Sequence, residues 1–337
     1  MNQRLDGDSY EFFNKIFLFV FDFEYGFAVA GIILNIIHLI FCVQKPIRSI
    51  NIFSIIAAIA MCDLAATSLI SYNRTLDWLI VRNRCRNKHS YFYKFSIWVI
   101  QTLDESMIRV SLFIGMFLTI IRFIVLKLSC NSDKLTKSYV VYSFFLAMFL
   151  INVSASGNLY FRMTLTMIRP WIPPKDCTEF PVNYSEPAYE LVYSDSENSF
   201  EYANFYQLYF GYSMLTISII YPCLALILYL EIRASAKKVA VSSQYNSLGR
   251  YRTSRMVLVF TLFYMLCSTP TGLIWLASAL IDIEVRSLLE LLVGYGSVLS
   301  STLFCINASF QCIICFMFSS KYRETVKALL GIKKTAV

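Results

Sequence analysis

Charge is scarce in this sequence, and so is histidine. Of 337 residues, only 15% are charged, while 57% are hydrophobic. A water-soluble domain has no interior large enough to hide that much apolar surface, so the composition excludes one and predicts a chain crossing a membrane several times. Only His38 and His89 can supply imidazole, and neither a His-Glu-x-x-His nor a Gly-x-Ser-x-Gly stretch occurs. With no zinc-binding pair and no nucleophile elbow, an enzyme is not expected. The absence of an internal repeat argues against a transporter built from inverted halves. No cleavable signal peptide is expected either: residues 12–21 are apolar enough, but Asp22 and Glu24 follow them and no small-residue cleavage pattern does. The net charge of +8 sits mostly on basic residues flanking apolar stretches, which reads as membrane orientation and not as nucleic-acid binding.

Seven stretches are long enough to span a bilayer, at about 26–43, 52–72, 91–126, 139–160, 204–230, 255–280 and 287–317. A last amphipathic stretch, 321–330, sets Tyr322, Val326, Leu329 and Leu330 on one side, as in a helix lying on the membrane surface. The expected fold is an all-α membrane protein, a seven-transmembrane helix bundle with a short C-terminal amphipathic surface helix. Residues 1–25 form an extracellular N-terminus, 26–317 the bundle, and 318–337 the cytoplasmic helix and tail. Orientation follows from basic residues: Lys45 and Arg48, the run from Arg233 to Arg255, and the tail from Lys321 to Lys334 lie on one side, taken as cytoplasmic. The opposite side holds most acids, including Asp22, Glu24, Asp176 and Glu186. One loop violates the rule, with Arg74, Arg82, Arg84, Arg86 and Lys88 between the second and third spans. That loop alone favours a ligand-gated channel of opposite orientation.

There are ten cysteines, most of them in or beside spans. Cys85 and Cys177 alone fall in predicted outer loops, and two lone cysteines in an oxidising compartment suggest one disulfide. Asn73-Arg-Thr75 and Asn183-Tyr-Ser185 are glycosylation triplets in outer loops; Asn152-Val-Ser154 and Asn307-Ala-Ser309 match the pattern inside spans.

Polar residues inside the spans carry most of the functional information. Arg122 lies in an apolar helix, where a mid-bilayer arginine costs about 2.5–3.5 kcal/mol, so it belongs near a membrane face or against protein. Asp104, Ser111 and Arg122 are separated by seven and eleven residues and share one helical stripe, about 27 Å long. Such a stripe suits a helix linking an outer site to an inner one. Asp63 is a mid-membrane carboxylate that needs polar company, which Ser111, Asn307 and Asn35 can supply. That cluster can hold a sodium ion, a proton or only water. Glu105 and Arg109 are spaced as a helical ion pair, which leaves Asp104 to meet a cationic ligand group. Pro222 and Pro270 are expected to kink their spans and serve as pivots. His38 is expected to make a helix contact.

Together these residues resemble a rhodopsin-like G-protein-coupled receptor, and more narrowly the nematode serpentine receptor class W chemoreceptors, relatives of FMRFamide-type peptide receptors. The resemblance covers roughly residues 26–330. It rests on Gly31-Ile-Ile-Leu-Asn35 with His38, on Cys62-Asp63-Leu64, on Thr119-Ile-Ile-Arg122-Phe, on Tyr221-Pro222, on Phe263-Tyr-Met-Leu-Cys267-Ser-Thr-Pro270, and on Ile306-Asn307 through Cys315 followed by Lys321-Tyr-Arg323. It implies that Arg122 meets a heterotrimeric G protein, that Asp63, Ser111 and Asn307 form a sodium pocket, and that Cys85 and Cys177 form the outer disulfide. No other cofactor is implied. The implied partners are membrane lipid, the G protein and an extracellular ligand, either an amidated cationic peptide or a small amine held by Asp104 and Glu105. The cavity is expected between spans 3, 5, 6 and 7, under a lid around Cys177. Three departures stand out: Ile121 where an acid usually precedes the arginine, Ser268 where a tryptophan is usual, and Gln311-Cys-Ile-Ile-Cys315 in place of Asn-Pro-x-x-Tyr. An orphan membrane protein without ligand response fits those departures too.

Overall fold

The computed structural model describes residues 7–48, 51–81, 85–128, 137–194, 199–241, 245–281 and 287–331. Helix α1 spans Gly7–Cys42, followed by a short turn of helix α2 (Lys45–Arg48) and by α3 (Asn51–Leu76), whose end loosens into a π-helical turn at Asp77–Val81. Then come α4 (Tyr91–Leu128), α5 (Ser138–Tyr160), strands β1 (Met163–Trp171) and β2 (Glu186–Tyr193), α6 (Ser199–Val241) and α7 (Tyr245–Leu280). The stretch expected as the last span is divided: α8 (Leu288–Gly294) stops at Tyr295, and α9 (Gly296–Phe318), the part long enough to cross, starts beyond it. Helix α10 covers Ser320–Leu329.

Seven of these helices are long and apolar enough to cross a membrane. A helix meets its own backbone hydrogen bonds, as a hydrocarbon solvent requires. Large apolar residues facing away from the bundle stay exposed, as Leu146, Leu150 and Ile151 do on α5. Helix α3 is the most enclosed, with Ile52, Phe53, Ile55, Ile56 and Ile59 all buried. Where helices must approach closely, glycine allows it. A Cβ added to Gly272 of α7 would stand 2.8 Å from the backbone nitrogen of Leu215 on α6, and one on Gly115 of α4 would stand 2.5 Å from the Tyr264 ring. Tyr221 stacks on Tyr264 and donates from its hydroxyl to Leu112 O at 2.6 Å, locking α6 to α4.

The prolines lie inside α6 and α7 as expected. A hydroxyl bond joins the two helices beside them: Ser218 Oγ donates to Ser268 Oγ at 3.0 Å. Ser268, a departure at the sequence level, thus has a structural role.

At one end of the bundle, Ser319 caps α10 by accepting from Tyr322 N at 3.2 Å. Tyr322 is fully buried, and its hydroxyl lies 2.7 Å from His38 Nδ1, so α10 is latched to α1 through the helix contact expected of His38. Burial pushes the Tyr322 phenol up, so it stays neutral. At the other end the hairpin, which hydropathy does not reveal, pairs β1 and β2 antiparallel with an irregularity between Met167 and Arg169. Tyr189 N donates to His89 O at 2.7 Å, and Asn87 Nδ2 donates to Glu186, fixing the hairpin to the turn before α4. Partial desolvation, then Lys94 and Lys88, hold His89 below its ordinary range, so it adds no positive charge there at neutral pH. The disulfide between Cys85 and Cys177 completes the attachment, with Cα atoms 5.5 Å apart.

Several expectations change. The first helix begins at Gly7, well before the expected span. Arg74 is no loop residue but the last turn of α3, paired with buried Glu24 and, at 3.3 Å, with Asp77. Glu24 is therefore inside the bundle, not on an acidic surface. Arg82 and Arg84 fall outside the described residues. Most of the basic stretch expected as a loop after span five is helical, extending α6 and α7.

Candidate functional site

Helix α4 carries the polar stripe along its length, with three different environments. At the hairpin end, Asp104 and Glu105 line a cavity of about 380 Å³. Its other polar walls are Glu24, Arg74 and Asp77, with Asn73, Gln101, Thr271, Ser297, Ser300 and Ser301. Phe210, Trp275 and Phe304 supply aromatic surface. The cavity is shifted from its expected place: α1, α3, α4, α7 and α9 form it, α6 contributes Phe210 alone, and no residue of the loop around Cys177 lines it. A volume of that size suits a small molecule or one side chain of a larger ligand.

The four carboxylates are not equivalent. Glu24 accepts from Arg74 and from Ser301, and Asp77 accepts from Arg74 and from Tyr93 at 2.8 Å. Glu105 accepts from the Tyr206 hydroxyl. The expected Glu105–Arg109 ion pair is not a direct contact. Helical spacing brings such residues side by side, but Arg109 turns toward α5, donating to Ser156 Oγ and Asn152 O, and lies 4.7 Å over the Phe210 ring. Asp104 differs from the rest. Its Oδ1 is enclosed and has no hydrogen-bond donor among the described residues, and the enclosed Ser300 Oγ is equally unmatched there. Both residues line the cavity. An unmet buried polar group costs about 1–3 kcal/mol, so these two atoms mark a costly part of the cavity wall.

Midway along the stripe, Ser111 Oγ donates to Asp63 Oδ1 at 2.6 Å, and Gln311 Nε2 donates to Asp63 Oδ2 and to the Tyr264 hydroxyl. Asn307 lies one turn before Gln311 on the same face of α9, fully buried, with neither amide atom bonded among the described residues. Asn35 takes no part: it donates to Gly31 O and to Ala308 O, joining α1 to α9. The cluster therefore differs from the expected trio. Gln311 reaches Asp63 directly and Asn307 does not. The oxygen types present, a carboxylate, a hydroxyl and the amide carbonyls of Asn307 and Gln311, are those a small hard cation takes.

At the far end Arg122 is 8% exposed, packed within the bundle and engaged there. One turn earlier, Thr119 Oγ1 and Thr261 Oγ1 lie 2.9 Å apart, tying α4 to α7.

The seven long apolar helices, packed around a cavity and a buried carboxylate, are those of a multi-pass membrane protein. The chain belongs to the family described as Serpentine type 7TM GPCR chemoreceptor Srw, whose model matches residues 22–333. No curated protein was found to match the chain.

Proposed function

We propose that this chain is a plasma-membrane receptor, N-terminus and hairpin outside, that binds a small cationic ligand and activates a heterotrimeric G protein. The supporting observation is that Asp104 and Ser300, each with an enclosed oxygen unmatched among the described residues, line a cavity whose other acids are already engaged. A ligand ammonium or guanidinium satisfies Asp104, Ser300 takes a second polar group, and Phe210, Trp275 and Phe304 hold the apolar body. The volume favours a small amine, or the single cationic side chain of an amidated peptide, over a whole peptide. Glu105 serves the site from behind Tyr206.

Signalling is a population shift: agonist binds one arrangement of the helices more tightly and moves the equilibrium by that difference. The prolines of α6 and α7, joined by Ser218 and Ser268, are the proposed pivot. Arg122 is the proposed contact for the G protein. Asp63, Ser111, Asn307 and Gln311 would hold sodium, which supplies a positive charge to a carboxylate otherwise costly at mid-bilayer.

The test is a G-protein activation assay in cells displaying the chain, with pooled small amines and amidated peptides. Arg122→Ala should lose activation while keeping surface display. Undiminished activation by the variant would remove Arg122 from the proposal. Silence of the displayed wild-type chain toward every cation would remove the ligand class.

A further inference from the structure

Four Asn-x-Ser/Thr triplets occur in the chain. An acceptor asparagine must be presented to a membrane-bound transferase on exposed chain, so burial decides among them. Three are disqualified by their positions. Asn73 is inside α3 and lines the cavity. Asn152 is a buried residue of α5 whose Nδ2 donates to Met148 O at 2.7 Å. Asn307 is fully buried in α9. Asn183 and Ser185 are both exposed, in the irregular segment between β1 and β2. Asn183 has φ of 68°, the left-handed conformation that asparagine tolerates better than most residues. It sits in the turn that precedes β2, with Ser185 the last residue before the strand.

We propose that Asn183 carries an N-linked oligosaccharide. The Asn183 amide nitrogen bonds to the anomeric carbon of a sugar chain carried on a polyprenyl diphosphate. The carbon–oxygen bond to the diphosphate breaks, the lipid diphosphate leaves with the electron pair, and the amide gives up one proton. The inference rests on the proposed orientation, because it needs the hairpin on the non-cytoplasmic side.

The experiment expresses the full chain, tagged at its N-terminus, in eukaryotic cells. It combines tag staining of intact cells with a peptide-N-glycosidase mobility assay on total protein. Total protein is used because the sugar is added early, before any failure of surface delivery. The tag should stain outside, and the enzyme should shift the wild-type band by one glycan. Asn183→Gln and Ser185→Ala should abolish the shift, while Ser185→Thr and Asn73→Gln retain it. An outside tag with no wild-type shift, or a shift that survives Asn183→Gln, overturns the glycan and leaves the orientation standing. A tag reached after selective permeabilisation of the plasma membrane, and so on the cytoplasmic side, overturns the orientation and the glycan together.

Discussion

Asp104 and Glu105 are neighbours with opposite situations. Glu105 has Tyr206 as a donor; Asp104 Oδ1 has none among the described residues. Converting Asp104 to asparagine keeps shape and removes charge, so it should weaken a cationic agonist by roughly 10–100-fold, the equivalent of losing a charged hydrogen bond of about 1.5–3 kcal/mol. A neutral agonist should be affected far less. Concentration–response curves for one agonist of each kind decide the matter, and equal losses would make Asp104 structural. Asp104 was legible in the sequence because helical arithmetic alone aligns it with Ser111 and Arg122. Glu24, Arg74 and Ser300 were not. Hydropathy treats a charged residue near a span end as a loop residue, and nothing local tells Glu24 that Arg74, fifty residues on, neutralises it. Gln311 was read as a lost motif, whereas its amide meets Asp63 directly.

Among the elements, α6 and α7 depend on backbone proximity. A methyl group at Gly272 meets the backbone of Leu215, which cannot rotate away as a side chain can. Gly272→Ala should therefore destabilise the bundle by about 1–3 kcal/mol, the usual range for overpacking. The half-life of the purified protein in detergent at raised temperature measures this; an unchanged half-life would mean that the two helices separate easily at that level. The spans and the final helix were legible because a bilayer demands long apolar runs and a surface helix demands a one-sided pattern. The hairpin was hidden for a physical reason. Its residues alternate only weakly, and it is held by Cys177, by Asn87 and by the His89 carbonyl, contacts made across some hundred residues of chain. The break at Tyr295 was hidden too, since the residues on either side of it are mostly apolar.

At the scale of the whole molecule, α4 links a polar cavity at Asp104, the α3 carboxylate Asp63 through Ser111, and Arg122 along one axis. Any ion held at Asp63 binds only the folded chain, so it stabilises by mass action. Purified protein should melt higher in sodium chloride than in the chloride of a bulky organic cation at equal ionic strength. Asp63→Asn should erase that difference; a difference that persists would place the sodium effect elsewhere.

The stripe on α4 also has an electrical meaning. A unit charge carried across the full membrane potential exchanges about 2.3 kcal/mol per 100 mV. With the hairpin outside, a cation reaching Asp104 traverses little of that drop, and one reaching Asp63 traverses more. Hyperpolarisation should then tighten occupancy at Asp63 more than at Asp104, and a clamp experiment that steps the voltage while reading activation would see the two depths as two slopes. In the proposed orientation, α4 is a ruler laid across the cell's own field.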